Sequence, residues 1–148
     1  MATAAASSQI TLQIKRVFPS SRERVFHAWT NIDELALWFA PSDEYTVVIP
    51  EFDFRVGGRY RLEMHHQGGN VHRVTGVYRE ITPPEKIVFT WQWQDNHGNE
   101  ETLVTIDLRT VGNSTALTLT HERFSAMEER DKHTHGWNGC LDRLAKVV

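Results

Sequence analysis

Apolar and polar residues alternate at the start of the chain, in the stretch QITLQIKRVF at positions 9–18. Ile10, Leu12 and Ile14 share one face of this stretch, which is typical of a strand with one buried side. Residues 44–121 are also predicted to be mostly strand, in the β-rich runs YTVVI and VHRVTGVYREI and in the alternating runs EFDFRV, RYRLEM, KIVFTWQW, TLVTIDL and TALTLTH. Turn signals such as HHQGGN, TPPE, DNHGN and TVGNS separate these runs. The pattern predicts an antiparallel meander with one solvated face.

Two short helices are predicted between the first strand and the meander. In PSSRERVFHAW, Ser20 is followed three residues later by Glu23, which is the spacing of a capping box. In TNIDELALWFAP, Asn31 and Glu34 have the same spacing and are predicted to cap a second helix, which ends before Pro41. Apolar residues recur at helical spacing in both segments.

The last segment, which contains HTHGWNGCLDRL, is predicted to be a long amphipathic helix. At 100° per residue, one face carries His133, Gly136, Trp137, Cys140, Leu141, Leu144 and Val147. His133 and His135 lie two residues apart and point in nearly opposite directions, so they do not form a metal site. Cys140 lacks a neighbouring base and is interpreted as a small buried hydrophobe. Gly136 either brings the helix close to its partner or leaves room beneath it, whereas the sequence offers no reason for Gly139.

Length and charge limit the function classes. The 148 residues fit one domain at positions 9–148, preceded by a disordered tail at 1–8. The net charge of −3 argues against nucleic-acid binding. No run approaches the ~20 apolar residues of a membrane span, the leader lacks the features of a secretory signal, and a single cysteine cannot form an internal disulfide. A cytoplasmic protein is expected.

Two short helices, an antiparallel meander and a long terminal helix make a helix-grip architecture, and here the chain resembles a known superfamily. It is similar to the START/SRPBCC superfamily, in particular to the family of the activator of heat shock protein 90 ATPase. The matching pieces cover most of residues 10–146 in order: RVFPSSRERVFHAWTNIDELALWFAP, FRVGGRYRLEM, GVYREITPPEKIVFTW, LTLTHERF and HGWNGCLDRL. The resemblance implies an α+β fold, with a curved sheet of about six or seven strands around the C-terminal helix. It also implies a cavity between sheet and helix that holds a small hydrophobic or amphipathic molecule.

The candidate ligand contacts are the large or polar-tipped side chains on the concave strand faces and on the helix stripe. They are Tyr60, Met64, Tyr78, Trp91, Trp93, His121, His133 and Trp137, with Trp38 at the entrance of the cavity. Each aromatic residue could equally be plain core. His121 is expected to be shielded from water, either as a neutral, hydrogen-bonded structural residue or as a group that orients a ligand together with His133.

Three functions remain open from the sequence. The preferred one is a non-enzymatic binder with a role in stress response or resistance, because no catalytic motif is present; no catalytic residue, metal or cofactor is assigned. The second is a cyclase or hydrolase that uses a cavity histidine as general base, oriented by Glu80 or Asp107. The third is a partner protein that activates a chaperone ATPase. A monomer and a homodimer paired through an edge strand are both compatible with the sequence.

Overall fold

The computed structural model describes residues 10–94 and 100–148. The predicted tail at 1–8 and the predicted DNHGN turn at 95–99 lie outside the described residues. The elements in chain order are β1 (Thr11–Phe18), α1 (Arg22–Thr30), α2 (Ile32–Trp38), β2 (Tyr45–Phe52), β3 (Arg59–His66), β4 (Val71–Thr82), β5 (Lys86–Trp93), β6 (Glu101–Val111), β7 (Ser114–Glu122) and α3 (Met127–Leu144).

The strands form one curved antiparallel sheet of seven strands in the order β1-β7-β6-β5-β4-β3-β2. Consecutive strands from β2 to β7 are neighbours, and β1 joins at the far edge by pairing with β7 along its whole length. This sheet, with its two short helices and the C-terminal helix, confirms the predicted α+β helix-grip fold. Alternation sets the two faces, as in β7, where Leu117, Leu119 and His121 are fully buried and the intervening threonines are partly exposed.

Side-chain caps begin both short helices. The Oδ1 of Asn31 accepts a hydrogen bond from the backbone N–H of Glu34 at 3.1 Å, as predicted. The predicted cap at Ser20 is wrong by one residue, because α1 begins later: the Oγ of Ser21 accepts the hydrogen bond from the N–H of Arg24 at 3.1 Å. The hydroxyl of Ser20 instead donates to the carbonyl of Val148 at 3.0 Å.

The C-terminal helix α3 is held against the sheet by one apolar stripe and by a polar link to the edge strand. Trp137, Cys140, Leu141 and Leu144 are buried. Arg16 of β1 reaches across, donating from Nη2 to the backbone carbonyl (3.3 Å) and the Oδ1 (3.0 Å) of Asn138. In the described part of the chain, no helix combines the length and the apolar character needed to cross a membrane.

The two glycines of α3 have different surroundings. A Cβ atom built on Gly139 would lie 2.2 Å from the backbone oxygen of Pro41, so the helix can approach the segment after α2 only because this residue is glycine. A Cβ atom built on Gly136 would have no heavy atom within 4 Å. Of the two roles predicted for Gly136, the structure shows the second, open space beneath the helix.

Candidate functional site

The half of the sheet beneath α1 and α2 is tightly packed. The space there is a cavity of only about 20 Å³, enough for about one water molecule. Tyr60 and Tyr78, predicted as ligand contacts, line this small cavity. The hydroxyl of Tyr60 is already committed, since it donates to the backbone carbonyl of Thr90 at 2.5 Å. The structure therefore separates these two residues from the other predicted contacts.

A larger cleft, of about 630 Å³, lies between the sheet, the N-terminal half of α3 and the segment between α2 and β2. Five predicted ligand contacts meet in it: Met64 of β3, Trp91 and Trp93 of β5, and His133 and Trp137 of α3. Gly136 also lines the cleft, which accounts for the open space at its missing side chain.

Aromatic rings make most of the floor of the cleft. The ring centroids of Trp91 and Trp137 are 5.1 Å apart, and those of Trp91 and Trp93 are 5.5 Å apart with perpendicular planes. Phe39, just after α2, completes this floor at 5.4 Å from Trp137. Edge-to-face and tilted contacts of this kind stabilise aromatic clusters beyond the area that they bury. The floor is a packed aromatic surface.

His121 lies behind this floor rather than in the cleft, and its ring nitrogens are both engaged. The indole N–H of Trp137 donates to Nδ1 at 3.0 Å. Because that nitrogen accepts, Nε2 of the neutral ring carries the proton and donates to Oγ1 of Thr102 at 2.6 Å. The Thr102 hydroxyl donates in turn to the carbonyl of Trp91 at 3.2 Å. Burial, and then the nearby His133, hold the pKa of His121 well below its usual 6.5.

His133 lines the cleft and is also committed on both nitrogens. Its Nδ1 lies 2.7 Å from the backbone carbonyl of Glu129, which can only accept, so Nδ1 carries the proton. Its Nε2 accepts a hydrogen bond from the indole N–H of Trp93 at 2.9 Å. The ring thus ties α3 to β5 at the edge of the cleft, as Trp137 and His121 tie it to β7 further along.

Two sequence-based placements are corrected by the structure. Trp38 does not lie at an entrance: it is fully buried, and its indole N–H donates to the carbonyl of Ala28 at 3.0 Å. The last turn of α2 points this side chain back under α1, where it packs on Trp29 at 4.6 Å. Glu80 and Asp107 do not orient a cavity histidine, since both line a depression on the outer side of the sheet beside Lys86.

Several residues of the cleft were not predicted from the sequence. Glu129 and Lys132 lie four residues before His133 and Gly136 of the predicted stripe of α3, and extending its i, i+3, i+4 spacing toward the N-terminus would have included them. Glu44 immediately precedes β2 and Tyr45 is its first residue, and the strand pattern of YTVVI does not indicate that either one lines a cleft. Together with Ser42 and His135, these residues add polar groups to the cleft.

The reactive side chains predicted for the cavity are buried or already hydrogen-bonded. Cys140 also lines the cleft, but burial raises the pKa of its thiol to about 12, so the reactive thiolate is disfavoured. Among residues 10–94 and 100–148, no group of three or more histidine, cysteine, aspartate or glutamate side chains is placed to hold a metal ion. His121 and His133, the two histidines predicted to face the cavity, each have both ring nitrogens in hydrogen bonds to protein groups.

Residues 19–148 match the family model described as "Activator of Hsp90 ATPase homolog 1-like protein". The chain belongs to this family. The match spans both short helices, the meander and α3, so it covers every element that forms the cleft. Membership supports a domain of the ligand-binding type and leaves the ligand unspecified.

Solved structures from several bacteria share the fold. A protein from Chromobacterium violaceum is 28% identical with a TM-score of 0.84, over 94% of this chain and 96% of that one. The AHSA1 protein from Silicibacter pomeroyi is 25% identical with a TM-score of 0.82, over 92% and 95% of the two chains. A protein from Rhizobium loti is 28% identical with a TM-score of 0.73, over 93% and 96%. Among curated proteins, none matches this chain significantly.

Proposed function

We propose that this protein binds a small hydrophobic or amphipathic molecule in the cleft between the sheet and α3. The observation that carries the proposal is the cleft itself, whose volume of about 630 Å³ lies within the range of about 300–1,000 Å³ that is typical of ligand pockets. The packed cavity beneath α1 and α2 has no comparable room.

The surface of the cleft supports an amphipathic occupant. Its floor is formed by Trp91, Trp137 and Phe39, and these side chains are almost completely buried. Charged residues, among them Glu44 and Lys132, line it as well and are exposed to solvent. An apolar group placed on the floor would be removed from water, which favours binding, while a polar group could remain hydrated, which avoids the cost of desolvation.

The open space at Gly136 allows a direct test. In Gly136→Leu, the added side chain starts from a Cβ position that has no heavy atom of the neighbouring elements within 4 Å. The side chain should therefore project into the cleft without displacing the core. We expect the affinity for Nile red, a neutral apolar dye, to fall at least tenfold, while the melting temperature stays at or above that of the wild type. Gly136→Ala is the matched control, because one methyl group occupies little of the cleft and should leave dye binding unchanged.

Two results would contradict the proposal. One is a folded wild-type protein that does not bind Nile red, and the other is undiminished binding by Gly136→Leu. Native mass spectrometry of the purified protein then identifies any molecule that the cleft retains from the cell. A role in stress response or resistance stays a prediction until such a molecule is known.

The family description supports a second candidate, activation of an Hsp90-type chaperone ATPase. This activity would use the outer surface rather than the cleft. Stimulation of the ATPase rate of purified chaperone should then be equal for the wild type and for Gly136→Leu. The absence of stimulation at a saturating concentration of the protein would exclude chaperone activation. Loss of stimulation in Gly136→Leu alone would mean that the activation depends on the cleft rather than on the outer surface.

A further inference from the structure

The polar atoms of the aromatic residues and of the histidine that line the cleft are not available to a ligand. The indole N–H of Trp137, both nitrogens of His133 and the indole N–H of Trp93 are all engaged with protein groups. The indole nitrogen of Trp91 is without a hydrogen-bond partner among the described residues, but it is shielded from solvent. An occupant therefore meets aromatic faces there rather than donors or acceptors, and the buried part of a ligand gains most if it is apolar.

Charge at the cleft comes from three side chains, with histidine counted as neutral. Glu44 and Glu129 are negative and Lys132 is positive, which leaves one net negative charge. Lys132 is partly neutralised, because its Nζ lies 3.5 Å from Oε2 of Glu129. Glu44 is contacted only by the imidazole of His66, at 3.4 Å between Oε1 and Nε2, among the ion pairs of the described residues. The polar end of a ligand thus meets more negative than positive charge.

Two aromatic residues line the same cleft as these carboxylates. Tyr45 and Trp93 are half-buried, and both line the cleft. The face of an aromatic ring attracts a cation within about 6 Å of its centroid, and tryptophan does so most strongly. The carboxylates and the aromatic rings of the cleft would therefore both favour a cationic ligand over an anionic one.

From this arrangement we infer that the cleft selects molecules with an apolar, aromatic body and a positively charged end, such as a protonated arylalkyl amine or a quaternary ammonium compound, over anions of the same shape. The inference rests on the proposed function and adds the charge of the ligand to it. Glu129 and Glu44 are the specificity-determining residues, and Lys132 opposes them.

Three naphthalene probes of nearly equal shape test the sign of this preference: 1-naphthylmethylammonium, 1-naphthalenemethanol and 1-naphthoate. Each competes with Nile red at pH 8 and low ionic strength. For the wild type, the cation should displace the dye at a concentration at least about threefold lower than the anion, as expected for partly exposed charge pairs. The difference should shrink as salt is added, since screening weakens such interactions.

Variants that remove one charge each test which side chains cause the preference for the cation. Glu129→Gln should remove most of the difference between cation and anion, and Lys132→Gln should enlarge it. Glu128→Gln is the matched control: it removes the same charge from the first turn of α3, so it has a similar effect on the helix N-terminus, but this residue does not line the cleft. Glu128→Gln should therefore show the same preference for the cation over the anion as the wild type.

The possible outcomes separate the two proposals. Equal displacement by all three probes, or tightest binding of the anion, overturns the inference while ligand binding in the cleft stands. A cation preference that persists in both Glu129→Gln and Glu44→Gln overturns the assignment to these carboxylates. Failure of the folded protein to bind Nile red removes the proposed function, and the charge preference with it.

Discussion

Alanine substitutions at the two glycines of α3 should change stability in opposite directions. Both residues lie in the interior of the same helix, so each replacement gains about 1 kcal/mol from helix propensity. The environments differ, because a Cβ atom at Gly136 meets nothing within 4 Å while one at Gly139 would be 2.2 Å from the oxygen, 2.9 Å from the carbonyl carbon and 3.0 Å from the Cα of Pro41. These are backbone atoms, which cannot turn aside as a flexible side chain would.

The magnitudes follow from this difference. Gly136→Ala should raise the free energy of unfolding by about 1 kcal/mol, with a melting temperature about 2–4 °C higher. Overpacking in a tightly packed contact costs about 1–3 kcal/mol, and overlap with backbone belongs at the upper end. Gly139→Ala should therefore be less stable than the wild type by about 2 kcal/mol once the gain in propensity is subtracted.

Urea unfolding followed by tryptophan fluorescence measures both variants under the same conditions, and thermal unfolding followed by circular dichroism gives an independent reading. The predicted gap between the two variants is about 3 kcal/mol, well above the error of the method. If Gly139→Ala were as stable as Gly136→Ala, α3 would not approach Pro41 as closely as described. If Gly136→Ala were less stable than the wild type, the space beneath it would be filled.

Three further predictions concern the buried polar groups and the sheet. Because the pKa of His121 is lowered in the folded protein and lies near 6.5 in the unfolded chain, its contribution to stability is complete above pH 6.5 and is lost below it, by about 1.4 kcal/mol per pH unit. The free energy of unfolding in urea should therefore fall more steeply between pH 8 and pH 5 for the wild type than for His121→Asn. Parallel declines would refute a lowered pKa of His121 in the folded protein. Thr102→Val leaves the Nε2–H of His121 without its acceptor and should cost about 1–3 kcal/mol in the same assay, whereas a neutral effect would mean that this hydrogen bond is not formed. Gly76→Ala places a Cβ atom 2.0 Å from the carbonyl oxygen of Thr90 and 2.6 Å from the ring of Tyr60, so its midpoint in urea should be clearly lower; an unchanged midpoint would contradict the close strand packing.

Much of the candidate site was predictable from the period of the strands and of the last helix. Met64, Trp91 and Trp93 were identified because they continue the inward register of their strands, and Trp137 and His133 because they lie on the stripe of α3. Tyr60 and Tyr78 satisfy the same rule, yet they line the small packed cavity. Register tells which face a side chain is on, but it does not tell what lies opposite that face.

The amino-acid sequence by itself determined the antiparallel meander, the two short helices and the amphipathic terminal helix, because each follows from a local repeat or a cap within a few residues. Only the tertiary structure decided where the concave face is filled and where it is open. That outcome depends on how α2 and α3 pack over different halves of the sheet, and on the contact between Gly139 and Pro41, residues separated by most of the chain. Distances between elements are set by the packing of all their side chains together, so no local pattern encodes them.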